Sequence, residues 1–488
     1  MRPMRPLVAL FLPLILAVPA AGSVACEQET LLDACELWTA RFNSATPAVD
    51  DIEADFGNDI ALSADGATAF VTGRIRGLAN ADDFDVGTIA YDTATGAQRW
   101  FARYAGGTYY DFGQAVALDP DGERVYVAGA RYGANFDTVV LAYAATSGAL
   151  LWQAVVDGDG ADDLATAIDV SDDGNALVVA AESATVAGNG AAESLDMLLL
   201  ALDPQTGEER WRARHDAGGQ DRPGAVAIGP DTRVDPEDPG PAVVVVGGSA
   251  REGEPAALAT LAFDLETGEP RWQNRIEAPT GHEGRDVAIT PGGERVVVVG
   301  NRAGTGNNLW DYVTASYDLE TGDERWAEVF DSASNSLDQA SDLVLSPDGT
   351  RAFVTGVSWE VRMTSPLYVF DADYLTLAYD VAAGEELWRS TYDGGHESDD
   401  VGTTIGVSPD GATIYVSGHS RIPGVWTYAT VALESGTGAR RWSARLGGLD
   451  GVSAQGPVMA VAPSGRLVIS GAALGKDWYD VFTVAYDG

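Results

Sequence analysis

The chain has 488 residues, of which 73 are Asp or Glu and 30 are Lys or Arg, giving a formal net charge of −43. A polyanion of this size repels phosphate backbones and anionic lipid surfaces, which excludes nucleic acid as a partner. With 45% hydrophobic residues there is too much core material for a disordered acidic chain, so the charge coats a folded body.

In chain order, the first element is a leader. Residues 1–25 carry Arg2 and Arg5, an apolar stretch from Leu7 to Val18 and small residues through Ala25, the pattern of an export signal peptide. The apolar stretch is short for a bilayer span and no later one reaches about 18 residues. An exported protein is expected, secreted, periplasmic or held at the cell surface, with no transmembrane segment. Cys26 and Cys35 are the only cysteines, and in an oxidising compartment they are expected to form one short-loop disulfide. Lipidation of Cys26 is the rival reading, disfavoured because Ser23 stands where such cleavage sites carry Leu.

From there the chain repeats. Trp38, Trp100, Trp152, Trp211, Trp272, Trp326, Trp388 and Trp442 follow one another at intervals of 52 to 62 residues. Each interval runs in a fixed order: an alternating strand, a Ser/Asp-Pro-Asp-Gly type of turn, a second strand, a loop, a third strand, a Thr-Gly turn and the next Trp strand. The first of these turns has type I chemistry and recurs eight times, starting at Ser63, Asp119, Ser171, Gly229, Thr290, Ser346, Ser408 and Ala462. Four short strands per unit, repeated eight times, predict an all-β, eight-bladed β-propeller with four-stranded antiparallel blades. Residues 26–488 then form a single domain, expected to be monomeric. Because the chain ends on a third strand and begins, at Glu36 to Phe42, with a fourth, the N-terminal strand is predicted to close the ring inside the C-terminal blade.

The junction Ala90-Tyr91-Asp92-Thr93-Ala94-Thr95-Gly96-Ala97-Gln98-Arg99-Trp100 reads A-x-D-x-x-T-G-x-x-x-W. It is complete again at Ala201 to Trp211 and Ala262 to Trp272, has one substitution in three further units (Ser316, Ala383, Glu434), and has two in another (Ala144, Ser147). This resembles the tryptophan-docking motif of the quinoprotein-like, or pyrroloquinoline quinone-like, propeller repeat family. The resemblance implies eight blades, with each Trp packed between neighbours and its turn residues hydrogen-bonded to hold it. It does not by itself imply a cofactor, since the family includes dehydrogenases and non-catalytic binders such as the barrel-assembly lipoprotein of the outer membrane. Alcohol dehydrogenases of the family use adjacent cysteines over the quinone and calcium ligands around it. Here Cys26 and Cys35 are separated and lie outside the blades, and no unit exceeds 62 residues, leaving little material for a lid. No cofactor is therefore expected, with pyrroloquinoline quinone and calcium as the alternatives to be tested.

Sites must come from what the units do not share. Asp55, Asp111, Asp163, Asp221, Asp338 and Asp400, with His282 in a seventh unit, recur eight residues before the type I turn, at the entrance to each innermost strand. They are a candidate acidic ring at the channel mouth, read mainly as loop caps because short acidic side chains accept backbone N–H bonds in turns. The other histidines, His215, His396 and His419, form no metal spacing. In Asp157-Gly158-Asp159-Gly160-Ala161-Asp162, Ala161 occupies a ligand position of a calcium loop and no Glu closes it, so Asp157, Asp159 and Asp162 remain only candidates for metal. The four non-docking tryptophans, Trp310, Trp359, Trp426 and Trp478, all fall between second and third strands of the last four units. With Tyr312 and Tyr368 they are predicted to form a one-face binding surface for a protein or glycan, because Trp and Tyr stack on flat apolar faces. The functional expectation is a non-catalytic binding or assembly scaffold. A quinone- or calcium-dependent oxidoreductase and a polysaccharide lyase or hydrolase are the alternatives.

Overall fold

The computed structural model describes residues 36–44, 55–77, 83–106, 109–158, 160–186, 192–233, 240–277, 281–303, 310–332, 337–364, 367–395, 399–422, 425–446, 451–452, 456–474 and 479–488. Every regular element among them is a strand. Six sheets of four antiparallel strands stand alone, and two further blades are linked into one path by a single parallel pairing, Leu195 with Gln220. In each blade the first strand is innermost. Inner strands of successive blades pack against one another, and the inner strand of the first blade, Phe56–Leu62, packs against the first two strands of the last.

The ring closes as the repeat predicts. Glu36–Phe42 runs antiparallel to Tyr479–Tyr486, with Trp38 opposite Ala485. Asp55 N donates to the Tyr479 carbonyl at 2.8 Å, and Trp38 shares one apolar cluster with Ile60, Val71 and Val481. Among the described residues there is no central core. Instead eight clusters lie one between each pair of neighbouring blades, which is why the middle strands, such as Leu177–Val186 and Ala242–Arg251, are apolar on both sides. A strand covered on both faces reads as a continuous apolar run rather than an alternation.

The docking motif explains itself in this geometry. Trp38, Trp100, Trp152, Trp211, Trp272, Trp326 and Trp388 each donate an indole N–H to a carbonyl of the next blade: Thr93, Ala145, Pro204, Leu265, Leu319, Val381 and Ser435, at 2.7 to 3.0 Å. The motif's Gly lies under that ring: Gly96 has φ +72° and a Cβ there would come within 2.6 Å of Trp38. The motif's Asp builds the turn. Asp92 accepts from Ala94 N, Thr95 N and Thr95 Oγ1, and Arg99 pairs with its second oxygen at 2.8 Å. The first Ala pairs directly across the ladder from the blade's own Trp, as Ala90 does with Trp100, one step before a bulge. Trp442 packs between Tyr415 and Tyr486.

Candidate functional site on the loop face

The loops joining second to third strands, and those joining one blade to the next, open on the same face. The recurring acidic positions sit there, buried. Asp55 accepts from Ser44 N, Ser44 Oγ and Arg76 N at 2.6 to 2.8 Å. Asp111 accepts from Gly106 N and Tyr132 N, Asp163 from Gly158 N, Asp221 from Ala217 N, and Asp400 from Gly394 N. Asp338 accepts from Ser332 N and the Ser358 hydroxyl. Each thus ties the incoming inter-blade loop to its inner strand. Burial raises the carboxyls of Asp55, Asp163 and Asp338, and that of Asp400 to about 6. His282 replaces the carboxyl in the fifth blade, where burial lowers its pKa.

The predicted aromatic surface is corrected at one residue, Tyr312. Tyr312 is wholly buried, its ring 5.9 Å from Phe330 in the cluster between the fifth and sixth blades. It belongs to the core because its strand is covered by blades on both sides. Trp310, Trp359 and Trp426 are half-buried; Trp310 and Trp426 sit at hairpin ends, while Trp359 stands within a longer hairpin, opposite Ala372. Trp426 packs edge-on to His419 with Arg421 over its face, 5.6 Å from the ring centre. The Tyr368 side chain, Trp478, Cys26, Cys35, Asp159 and His396 lie outside the described residues. The two other metal candidates do not converge: Asp157 closes its own turn onto Gly160 N, and Asp162 accepts from Phe136 N.

The exposed aromatic side chains lie elsewhere on this face, over the first two blades. Tyr109 and Tyr110, 50% and 41% exposed, form with Tyr132 and Phe136 an open cleft of about 450 Å³. The loop is pinned because Phe84 N donates to the Tyr109 carbonyl and Asp111 N to the Phe84 carbonyl, at 2.7 and 2.8 Å. Tyr110 stacks on Phe84, Tyr109 meets Tyr132 edge-on, and Tyr132 meets Phe136 at 5.0 Å. Arg74 extends the row, 4.1 Å over the Phe56 ring. The signal in sequence was the pair Tyr109-Tyr110 in a short inter-blade loop.

A second feature was also missed. Asp59, Asp169, Asp286 and Asp342 stand on inner strands. Each accepts from the N–H of its own following residue with one oxygen. The other accepts from the inner strand of the next blade: Val116 N, Ile228 N, Leu343 N and Ile405 N respectively, at 2.7 to 3.0 Å. Protein surrounds them and solvent reaches them only in part. Burial raises Asp59 to about 7 and Asp169 to about 6. Asp286 and Asp342 are hydrogen-bonded to each other, and burial first, then mutual repulsion, holds the Asp286 carboxyl well above its usual range.

With this geometry in view, comparison with known proteins decides the family. The family model described as outer membrane protein assembly factor BamB, a pyrroloquinoline quinone-like repeat, matches residues 30–283 and 87–360. The chain belongs to this family. No curated protein matches the sequence. Among solved structures, Sqt1 from Chaetomium thermophilum, bound to the N-terminus of ribosomal protein L10, is similar over 94% of this chain and 100% of its own, with 14% identity and a TM-score of 0.56. A europium-containing methanol dehydrogenase covers 93% of both chains at 12% identity and TM-score 0.54. The quinohemoprotein alcohol dehydrogenase of Comamonas testosteroni covers 93% of this chain and 77% of its own at 12% identity and TM-score 0.51. Such likeness shows the fold, and one fold carries many functions.

The quinone that the family name implies fits this chain's residues poorly. It is itself a polycarboxylate, and the inner strands here offer Asp59, Asp169, Asp286 and Asp342, which burial already disfavours as anions. The inner-strand guanidiniums Arg222 and Arg285 are paired with Glu182 and Glu283, at 3.2 and 2.8 Å. No redox step follows from this arrangement. Among the described residues no helix is long and apolar enough to cross a membrane.

Proposed function

We propose that this is an exported, non-catalytic propeller scaffold that binds a basic segment of a partner protein in the cleft of Tyr109, Tyr110, Tyr132 and Phe136. The cleft carries the reading: it is open, apolar and aromatic, held by backbone hydrogen bonds at its base, and set in a chain of net charge −43. Tyrosine faces attract Lys and Arg side chains as well as apolar ones. The surrounding negative field accelerates encounter with a cationic partner and discourages anionic ones. Export is supported by the leader at residues 1–25, and a monomer is the expected state. The inner carboxylates are spent on backbone N–H groups, which leaves little for acid–base work on a glycan.

The test titrates extended synthetic peptides, acidic, neutral and basic but otherwise alike in apolar content, and a set of oligosaccharides, against the wild type and the Tyr109→Ala/Tyr110→Ala double variant. Binding confined to basic peptides and weakened at least about tenfold in the variant is expected, since two aromatic contacts contribute on the order of 1 kcal/mol each. Tyrosine-dependent binding of oligosaccharides alone would replace a protein partner by a glycan. Peptide binding indifferent to both tyrosines would reject the cleft as the site.

A further inference from the structure

Where one blade hands over to the next, the loop face repeats a meeting of three carboxylates: one from the start of a third strand, one from the loop after the fourth strand, and the buried cap of the next inner strand. Asp196, Asp216 and Asp221 meet in this way, as do Asp311, Asp331 and Asp338, each residue offering an oxygen within 4.8 Å of the others. What differs between blades is the cation beside them. Three residues after the docking Trp, the first, third and eighth blades carry Arg103, Arg214 and Arg41, which pair with the third-strand Asp85, Asp196 and Asp480. The register is the same each time, the arginine standing opposite the residue two beyond the Asp: Gly87, Leu198 and Phe482.

In the fifth blade that position is Val329, opposite Val313, two beyond Asp311. No guanidinium enters from the fourth strand. Asp311 is 2% exposed and its Oδ1 has no hydrogen-bond partner. Its other oxygen meets Arg302 Nε, from the second strand, at 3.5 Å. Asp338 is fully buried and held by Ser332 N and Ser358 Oγ, while Asp331 is exposed. One guanidinium thus serves a cluster of three carboxylates, and within that cluster a buried carboxylate oxygen, Asp311 Oδ1, has no hydrogen-bond partner. An unpaired buried charge is costly, and nature compensates it by pairing or by a metal.

We propose that Asp311, Asp331 and Asp338 bind a calcium ion, which takes in the fifth blade the place that an arginine takes in the first, third and eighth. The chemistry fits a hard cation with all-oxygen ligands. Ligands on opposite sides of calcium, each at about 2.4 Å, span the 4.8 Å within which the three oxygens lie. Asp331, facing solvent, leaves room for water to complete the shell, and the irregular set of one exposed and two fixed carboxylates suits calcium better than the strict octahedron of magnesium.

The experiment uses chelator-treated full-length mature protein at about 0.15 M salt, where diffuse counter-ion attraction is screened, and measures calcium uptake by calorimetry together with melting temperature. The wild type is expected to take up calcium and melt higher with it. Asp331→Asn, at an exposed position, should lose one equivalent. Val329→Arg should lose the same equivalent and melt higher than wild type without metal, because it restores the internal cation. Asp216→Asn, in the arginine-paired group, should keep full uptake. No calcium uptake by the wild type at millimolar calcium, or uptake unchanged in both Asp331→Asn and Val329→Arg, would overturn the proposal. An equal loss in Asp216→Asn would also overturn it, showing diffuse binding to acidic loops.

Discussion

At the outer turns, Asp92, Asp203, Asp264 and Asp318 stand beside Arg99, Arg210, Arg271 and Arg325 and accept the N–H groups of their own Thr-Gly turns. On the inner strands, Asp59, Asp169, Asp286 and Asp342 have no arginine among their strongest influences and reach instead for a backbone N–H of another blade. The first group is held below the usual carboxylate range because hydrogen bonds and arginines together outweigh burial, even at Asp264 and Asp318, where burial is the largest single influence. The second is held above it by burial. The same residue therefore fastens a blade internally at the rim and joins blades at the axis, and the formal charge of −43 overstates the charge carried near the axis at neutral pH. The rim should dominate stability because there each Asp turn also presents a glycine and a carbonyl to a neighbour's tryptophan.

That division breaks most visibly if the rim is cut. Trp211 is 9% exposed, donates to the Leu265 carbonyl and fills the cluster between the third and fourth blades. Trp211→Ala should cost about 3–5 kcal/mol, the usual range for an emptied aromatic site, read as a fall in the urea midpoint. A loss below about 1 kcal/mol, the size of one net hydrogen bond, would mean that the rim is not the fastener.

A finer cut compares two glycines of almost equal φ. Gly148 (+68°) would put a Cβ 2.6 Å from the Trp100 ring, while Gly122 (+69°) has nothing within 4 Å. Both Gly→Ala changes strain the backbone by about 1 kcal/mol, but Gly148→Ala must also push the indole out of place and should cost about 3 kcal/mol in all, in keeping with overpacking. Equal effects in thermal denaturation would show that only the turn, and not the docking, demands glycine there.

At the axis the sign reverses. Asp59, with its folded pKa raised to about 7, adds stability that is complete below its unfolded value near 3.9 and is lost as pH rises through about 7. Urea midpoints of the wild type should therefore decline from pH 5 to pH 8. In Asp59→Asn the decline should be shallower, although the amide keeps only one of the two oxygens that accept from Ile60 N and Val116 N. A slope unchanged by the substitution would move Asp59 out of the group that titrates.

The rim was legible in sequence and the axis was not, for a physical reason. The Trp spacing, the Thr-Gly turn and the terminal strand that completes the last blade are local patterns repeated at one period, so the ring follows from them. Asp59 and Val116 lie 57 residues apart, about one blade, and nothing near either residue signals the bond. Nor is the inner Asp periodic: it falls four residues after the loop cap at Asp59, Asp286 and Asp342, but six after it at Asp169. Tyr312 lies in the core, where the sequence places it on the surface, because a strand sandwiched between blades shows no polar side. The cleft does not stand out in sequence because the non-docking tryptophans cluster in the last four units, whereas Tyr109 and Tyr110, the more exposed, lie between the first two.

The smallest effect is expected where the carboxylate is most acidic. Asp348 accepts from Ser346 Oγ at 2.6 Å and from Thr350 N and Oγ1, and these bonds lower its pKa to about 2. A depressed pKa gives stability that is present above the unfolded value, about 3.9, and lost as pH falls through about 2, the opposite of Asp59. Yet Asp348 is exposed, water solvates its charge in both states, and an exposed interaction of this kind contributes only a few tenths of a kcal/mol. Asp348→Asn also keeps an oxygen for the Ser346 hydroxyl. Its melting temperature at pH 7 should lie within about 2 °C of the wild type, since about 1 kcal/mol moves the midpoint of a large domain by only 2–4 °C, and the difference should shrink further toward pH 2. A drop larger than that of Gly122→Ala would place the strength of the turn in its acid rather than in its glycine, and the rim would then owe its stability to charge as well as to packing.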